Sequence, residues 1–494
     1  MSRFYFPAMV PALVFILFTD VSAQDRAPEL SGVFKAIKSE VSKNCLAYPN
    51  LKSATEKIGH RLTGTEHGKK AEELAHSMLA QYGYIPEFKP FAFRNWERDS
   101  LMLEIVPFNS DNFVQVRAVT LAHSPVKANV SAGIVDAGNG LPADFERLKL
   151  NMRGKVAMLN IGCDACNETD KANNLHRSEK TALAIKYGAI GAMFVNSAPG
   201  KTLLTGTASV DGGLISIPAI CISNESGRQI RAWMKDEKLM AQISMTNKSE
   251  TAEARNVVAE LKGSSKAKET IVIGGHLDSW DLGTGAIDNG LGSFTVLEVA
   301  RVFKVLNLKP KRSISFTLFM GEEQGLYGSK ALTEPMRKHP KRSSPVKYMI
   351  NLDMTGDPTG FNTYGRPEAE AFFNRIGTVM KEADSTYKNY NTSEAELHSD
   401  HQPYMLEGIP VTSPNGNLPQ IVNDCYHADC DVMKSVKKEW MDHNVMAVAM
   451  MLYALADADT LPATRLNQAD TRKFLEQQNL KEQLILGKEW RYKD

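Results

Sequence analysis

A short apolar run that ends in a histidine and several carboxylates constrains this chain more than any other stretch. Ile271–Ile273 is typical of a buried strand, and two glycines follow it. The chain then presents His276, Asp278 and, at the end of a glycine-rich loop, Asp288. An apolar strand does not normally end in this combination unless the side chains bind something. We therefore expect one half of a metal site here and predict that the rest of the chain supplies the other half.

From Asn256 onward, strand-like runs alternate with helical patterns. Ser313–Met320 is followed by Gly321 and then by two glutamates, and Val346–Leu352 is followed by an aspartate. This alternation predicts an α/β fold with a doubly wound, mostly parallel sheet. Ligands bind at the carboxyl ends of the strands in such sheets. The ligand-type side chains at those ends are His276, Glu322, Glu323 and Asp353.

A histidine further along the chain is expected to complete the site. His427 is the first choice, because Cys425 and Cys430 flank it and a disulfide between them could fix the turn. Asp400 and His401 are the second choice, and we interpret them as candidates for a wall of the substrate pocket. The other downstream candidates are His398 and His443.

These residues suit a pair of divalent metal ions. Two ions about 3.5–4 Å apart can hold a hydroxide between them and polarise a carbonyl group. In this assignment Asp288 bridges the ions. His276 and Asp353 complete the ligand set of one ion, and Glu323 and His427 complete that of the other. Mixed histidine and carboxylate ligands favour two Zn²⁺ per chain, with Mn²⁺ or Co²⁺ as alternatives.

Two carboxylates remain for roles other than metal binding. Glu322 is the candidate general base, which takes a proton from water and passes it to the leaving amine. Asp278 can orient His276 through the second ring nitrogen. Each element alone has a simpler interpretation, since Asp288 could merely cap a helix and paired glutamates usually face solvent. Five ligand-type residues and a base at compatible positions favour the metal site.

The motifs resemble those of the M28 family of co-catalytic zinc exopeptidases, and within it the carboxypeptidase Q branch. Arg61-Leu-Thr-Gly and Trp96-Glu-Arg are typical of that branch. The resemblance implies zinc, a secreted or lysosomal setting, peptide substrates with free termini, and a homodimer as an option. The other matching elements are His276-Leu-Asp278-Ser, Asp288-Asn-Gly, Glu322-Glu323-Gln-Gly, Leu352-Asp353 and Tyr426-His427-x-x-x-Asp431.

The expected domain organisation combines these motifs with changes in composition along the chain. Residues 1–23 form a signal peptide, and 24–117 form the N-terminal part of the peptidase domain, with a propeptide as an option at its start. Residues 118–252 are a β-rich insert that resembles a protease-associated domain. The catalytic domain spans 253–461, and a helical tail follows over 462–494.

The N-terminus predicts export. Arg3 precedes an apolar run over 4–18, and Val21-Ser22-Ala23 suits cleavage after Ala23. The run is shorter than the roughly 20 residues of a membrane span. We expect a soluble, exported protein without membrane association after signal cleavage, in the periplasm of a Gram-negative source or in the lysosome or outside the cell of a eukaryotic one.

The net charge bears on the expected partners, and the cysteines bear on the expected compartment. The formal net charge is +1, from 58 basic and 57 acidic residues, which gives no reason to expect nucleic acid as a partner. Cys163 and Cys166 form a CxxC, and with Cys425 and Cys430 they are the disulfide candidates for an oxidising compartment. No second CxxC completes a zinc knuckle in the sequence.

The sequence therefore predicts an exported di-zinc metallo-exopeptidase that hydrolyses dipeptides or short peptides, of carboxypeptidase or dipeptidase type. Aminopeptidase action is the main alternative. Two further alternatives are a glutaminyl cyclase, which uses one zinc, and a non-catalytic binding protein on a decayed peptidase scaffold. The binding protein would lack metal ligands, and none is missing from the sequence.

Overall fold

The computed structural model describes residues 27–108, 112–163, 166, 174–339 and 344–492. The expected signal peptide, residues 1–23, lies outside these residues. The strands are β1 Glu87–Arg94, β2 Glu97–Pro107, β3 Val114–Gln115, β4 Ala118–Thr120, β5 Lys127–Asp136, β6 Val156–Asn160, β7 Gly191–Val195, β8 Ala219–Ile222, β9 Leu239–Lys248, β10 Thr251–Leu261, β11 Lys266–His276, β12 Arg312–Phe319, β13 Val346–Asn351, β14 Phe361–Asn362 and β15 Val411–Pro414.

Helices cover the faces and ends of the two sheets that these strands form. Three single turns accompany them, over Ala286–Gly290, Pro367–Ala369 and Met433–Ser435. The α-helices are α1 Ala27–Asn44, α2 Ala47–Lys57, α3 Glu66–Gln81, α4 Pro142–Met152, α5 Arg177–Lys186, α6 Asn224–Trp233, α7 Leu291–Val305, α8 Tyr327–Lys338, α9 Glu370–Ala383, α10 His401–Leu406, α11 Gln420–Asn423, α12 Lys438–Asp457, α13 Gln468–Gln477 and α14 Lys481–Leu486.

The first sheet has seven strands in the order β1-β10-β12-β11-β13-β15-β14. Four adjacent strands, β12, β11, β13 and β15, are parallel to one another. Each of the remaining strands, β1, β10 and β14, is antiparallel to the strands that it pairs with. The predicted α/β fold is confirmed, and the parallel arrangement holds for the centre of the sheet. Because α7 and α12 cover this sheet with apolar side chains, the parallel strands are buried as their sequences indicate.

Strand register brings the predicted site residues to one edge of this sheet. His276, the last residue of β11, pairs with Phe319, the last residue of β12. Glu322 and Glu323 therefore follow β12 immediately beyond the level of His276. On the other side Gly274 pairs with Asn351, so Asp353 lies just past the end of β13.

The second sheet has eight strands in the order β3-β2-β9-β5-β6-β7-β8-β4. The chain leaves the first sheet after β1 and returns to it with β10, so it passes between the sheets at residues 94–97 and 248–251. The first crossing precedes residue 118, where the sequence places the start of the insert. The reason is that β2, which lies before residue 118, pairs with β9 of the second sheet.

The described residues of the insert form three helices, α4, α5 and α6, whereas the sequence pattern indicates one helix, over 181–187. The helix α4 buries only Phe145 and Met152, and two apolar positions are too few to produce a recognisable helical period. The helix α6 buries only Gly227 and Ile230.

The tail and the cysteines complete the architecture. The helices α13 and α14 lie in the C-terminal segment and pack through Phe474, Leu475 and Leu484 on an apolar cluster that includes residues of the first sheet. Disulfides join Cys163 to Cys166 and Cys425 to Cys430. Within the described ranges, no helix has the length and apolar character to cross a membrane.

Candidate metal centre and substrate cavity

Two histidines face the same carboxylate at the edge of the first sheet. Asp288 Oδ1 lies 3.2 Å from His276 Nε2, and Asp288 Oδ2 lies 3.0 Å from His427 Nε2. All three side chains are buried. One carboxylate thus presents a separate oxygen to each imidazole, which is the arrangement that a bridging ligand requires.

Two further carboxylates complete a symmetrical arrangement. Glu323 Oε2 lies 2.9 Å from His427 Nε2, and Asp353 Oδ1 lies 3.3 Å from His276 Nε2. Ligand atoms of His276, Asp288 and Glu323 all lie within 4.8 Å of one another. The structure therefore brings together all five residues that the sequence analysis assigns as ligands.

Glu322 lies beside this group. Its Oε2 is 4.0 Å from His276 Nε2, its side chain is 10% exposed, and it lines the cavity described below. The Glu322 backbone N–H donates to Asp278 Oδ1 at 3.4 Å. Thr63 Oγ1 donates to the other Asp278 oxygen and accepts from the N–H of Gly321. Asp278 therefore helps to fix the turn that carries Glu322.

The charges of the group fit a bound cation. Burial raises the pKa of Glu323 to about 7, and burial together with Asp353 and Glu323 raises the pKa of Glu322 well above its ordinary value. The pKa of Asp288 is lowered although burial opposes this, because it accepts from His276 and His427. Glu323 Oε1 is buried without a hydrogen-bond partner. Buried carboxylates with an unsatisfied oxygen beside two imidazoles suit a divalent metal.

The second ring nitrogens of both histidines point away from this group. His276 Nδ1 lies 3.1 Å from the Asp278 backbone carbonyl and 3.5 Å from its carboxylate, so the carbonyl is the hydrogen-bond acceptor. The backbone carbonyl of Asp278 therefore orients His276, whereas the sequence predicts that the Asp278 carboxylate does so. His427 Nδ1 lies 3.3 Å from the Thr205 carbonyl and 3.2 Å from Arg177 Nη2, both of which belong to the insert. At His276, a proton on Nδ1 leaves Nε2 free to bind metal.

Two buried residues that the sequence analysis did not assign to the site hold the loop before Asp288. Arg61 donates to the carbonyls of Leu277, Thr284 and Gly285 at 2.5, 2.8 and 2.7 Å. The carboxylate of Asp431 accepts from the backbone N–H groups of Ile287 and Asp288 at 2.6 and 3.1 Å. Both belong to motifs that carry the family resemblance, and that was the only signal for them in the sequence.

A cavity of about 530 Å³ adjoins the metal-ligand group and has walls from three parts of the chain. The catalytic part supplies His401, whose Nε2 interacts with the Glu396 carbonyl at 2.9 Å, and the tail supplies residues of α14. Asp400, the other expected pocket residue, is completely buried and does not line the cavity, because it precedes α10 and points into the protein. The insert contributes His176, Arg177, Ser178, Glu179, Thr207 and Val210.

The other candidate histidines lie apart from the ligand group. His398 stacks on His176 of the insert at 4.7 Å between ring centroids. His443 pairs with Asp357 at 2.7 Å on α12. Burial lowers the pKa of His401 to about 4, so this imidazole is neutral at physiological pH.

Comparison with known proteins places these features in a family. Residues 256–452 match the model of peptidase family M28, and residues 119–230 match the model of the PA domain. Carboxypeptidase Q of Xenopus laevis is 24% identical over 421 residues, which cover 84% of this chain and 87% of that protein. Leucine aminopeptidase 2 of Trichophyton equinum is 28% identical over 427 residues, which cover 81% of this chain and 79% of that protein.

Solved structures share the fold. A peptidase M28 precursor from Shewanella amazonensis superposes with a TM-score of 0.76 at 23% identity, covering 89% of this chain and 99% of the other. A zinc aminopeptidase from Bacillus subtilis superposes with a TM-score of 0.61 at 22% identity, covering 85% of this chain and 97% of the other.

The fold and the family matches together define a metallopeptidase. Its catalytic part, residues 256–452, matches peptidase family M28, and residues 119–230, which lie between β1 and β10, match the PA domain. The resemblance seen in the sequence motifs is confirmed, and the substrate is a peptide.

Proposed function

We propose that this protein is an exported di-zinc exopeptidase that hydrolyses dipeptides or short peptides, with carboxypeptidase or dipeptidase action. The observation that carries the proposal is the position of Asp288, which presents one oxygen to His276 and the other to His427. The names of relatives support it, since they include carboxypeptidase Q, and one structural neighbour is a zinc aminopeptidase. Export rests on the signal-like N-terminus.

The chain offers a complete set of ligands for two ions. His276 and Asp353 would hold one ion, Glu323 and His427 would hold the other, and Asp288 would be shared. Zinc bound there would supply Lewis acidity that polarises the scissile carbonyl and makes water a better nucleophile near neutral pH.

Glu322 is the proton carrier in this proposal. It lines the cavity but is not needed as a ligand, so its carboxylate is free to take a proton from the attacking water and to deliver it to the leaving amine. The Asp278 and Thr63 hydrogen bonds fix the backbone at Glu322 and so hold this carboxylate in place.

The size of the cavity supports action on small substrates. A volume of about 530 Å³ lies within the range of roughly 300–1,000 Å³ that small-molecule sites occupy. A short peptide fits such a space, whereas an endopeptidase needs a groove open at both ends.

Aminopeptidase action is the second candidate, favoured by the similarity to leucine aminopeptidase 2. The test compares one dipeptide with its N-blocked and C-amidated forms, using the purified mature protein. Carboxypeptidase action predicts that the N-blocked form is cleaved and the C-amidated form is not. Cleavage of only the C-amidated form would overturn that assignment. Full activity with a single zinc per chain would instead revive the glutaminyl cyclase alternative.

A further inference from the structure

The end of the tail forms part of the wall of the catalytic cavity. We call residues 481–492 the C-terminal strap. The strap lies outside the segment that matches the M28 family model, which ends at residue 452. Its cavity-lining residues are Gln483, Leu484, Gly487 and Glu489. The same cavity is lined by Glu322 and by the insert, so the strap shares the substrate space with the candidate base.

The strap is anchored at its helical end by apolar packing. Leu484 is 1% exposed and belongs to a cluster that also contains Phe319 of β12 and Tyr404 of α10. The helix α14 also contacts α5 of the insert. The strap therefore touches both bodies that border the cavity.

Beyond Leu484, the strap makes three ion pairs, of which one joins Arg491 to Glu407 and the other two join the strap to the insert and to α8. Lys488 Nζ lies 2.6 Å from Asp211 Oδ2 of the insert. Glu489 Oε1 lies 2.8 Å from Lys330 Nζ of α8, the helix that follows Glu322 and Glu323. Because Val210 and Lys330 themselves line the cavity, both fastening points stand at its wall.

We propose that residues 483–489 are the element that restricts this peptidase to short peptides, by closing the cavity between the insert and α8. The inference rests on the proposed exopeptidase function. A dipeptide fits beneath the strap, whereas a longer chain has to displace it. The Lys488 and Asp211 side chains are 67% and 43% exposed, so their ion pair is weak and can be broken without unfolding the protein.

The test uses Lys488→Glu in the full-length protein, which places like charges at the contact with Asp211. The substrates are a dipeptide and its tripeptide, pentapeptide and octapeptide extensions. We expect kcat/KM for the pentapeptide, relative to the dipeptide, to rise roughly threefold to tenfold. The double variant Lys488→Glu/Asp211→Lys restores the pairing and should return this ratio towards the wild-type value.

Lys473→Glu is the matched control, because Lys473 is exposed on α13 and does not line the cavity. It should leave the ratio unchanged. Gln483→Trp tests the same wall without altering the ion pair, and it should lower kcat/KM for the longer peptides more than for the dipeptide.

The outcomes separate this inference from the proposed function. If the wild type hydrolyses the dipeptide and neither Lys488→Glu nor Gln483→Trp changes the length preference, the strap is not a specificity element, although the exopeptidase function stands. If the wild type hydrolyses no dipeptide, the proposed function fails and the inference fails with it.

Discussion

Replacing Asp431 by asparagine tests whether the loop before Asp288 is held in place for metal binding. Asp431 is buried, and its two carboxylate oxygens accept from the N–H groups of Ile287 and Asp288. Asparagine keeps the shape but retains only one acceptor oxygen. Its amide group would then face a backbone N–H, and one buried donor would lose its partner.

The structure gives the expected size of the effect. Leaving one buried N–H group without its acceptor costs about 1–3 kcal/mol, part of which appears as lower stability. Because the lost bond orients the backbone of Asp288, zinc affinity should also fall by about 10- to 100-fold, as it does when partners of metal ligands are removed.

The assay is zinc competition against a chelator of known affinity, together with thermal unfolding of the zinc-loaded protein. Asp429→Asn is the matched control, since Asp429 is two residues away, is 52% exposed and pairs only at the surface with Arg117. The control should behave as the wild type does. Wild-type zinc affinity and thermal stability in Asp431→Asn would refute the reasoning.

Three further predictions follow from the same geometry. Glu322→Gln should keep the fold and the bound zinc while kcat falls by about 100- to 10,000-fold; near-wild-type turnover in steady-state kinetics would remove Glu322 from the mechanism. Arg61→Lys should destabilise the protein by about 1–3 kcal/mol in urea unfolding, because a single ammonium cannot reach all three carbonyls, and Arg94→Lys at an exposed position should not. Chelator treatment should abolish peptide hydrolysis, and added Zn²⁺, Mn²⁺ or Co²⁺ should restore it; hydrolysis that survives complete metal removal would contradict a metal-dependent mechanism.

The positions of the candidate metal ligands could be predicted because they follow local rules. His276, Glu322 and Asp353 each come at or just after the end of a parallel strand, and parallel strands end at the same edge of a sheet. The two cysteines that flank its turn favour His427 as the second histidine, and the structure places it at the same edge.

The supports of the site could not be derived from local pattern. Arg61 contacts carbonyls that are 216, 223 and 224 residues away in the sequence, and Asp431 contacts N–H groups 144 and 143 residues away. Only the tertiary structure shows such partners.

The cavity wall was unpredictable for a similar reason. The sequence of the tail is compatible with a surface helix or a packing tail, because its charged residues obscure the few apolar ones that anchor it. Asp400 shows that a polar residue next to a cavity-lining histidine in the sequence can nevertheless be completely buried.

The zinc content of the purified protein is the most direct test of the central claim that Asp288 bridges two metal ions. The measurement is the molar ratio of zinc to chain by elemental analysis, after equilibration with zinc and removal of the unbound ion. The arrangement of His276, Asp288 and His427 predicts two zinc ions per chain. A ratio of one, or none, would contradict the account.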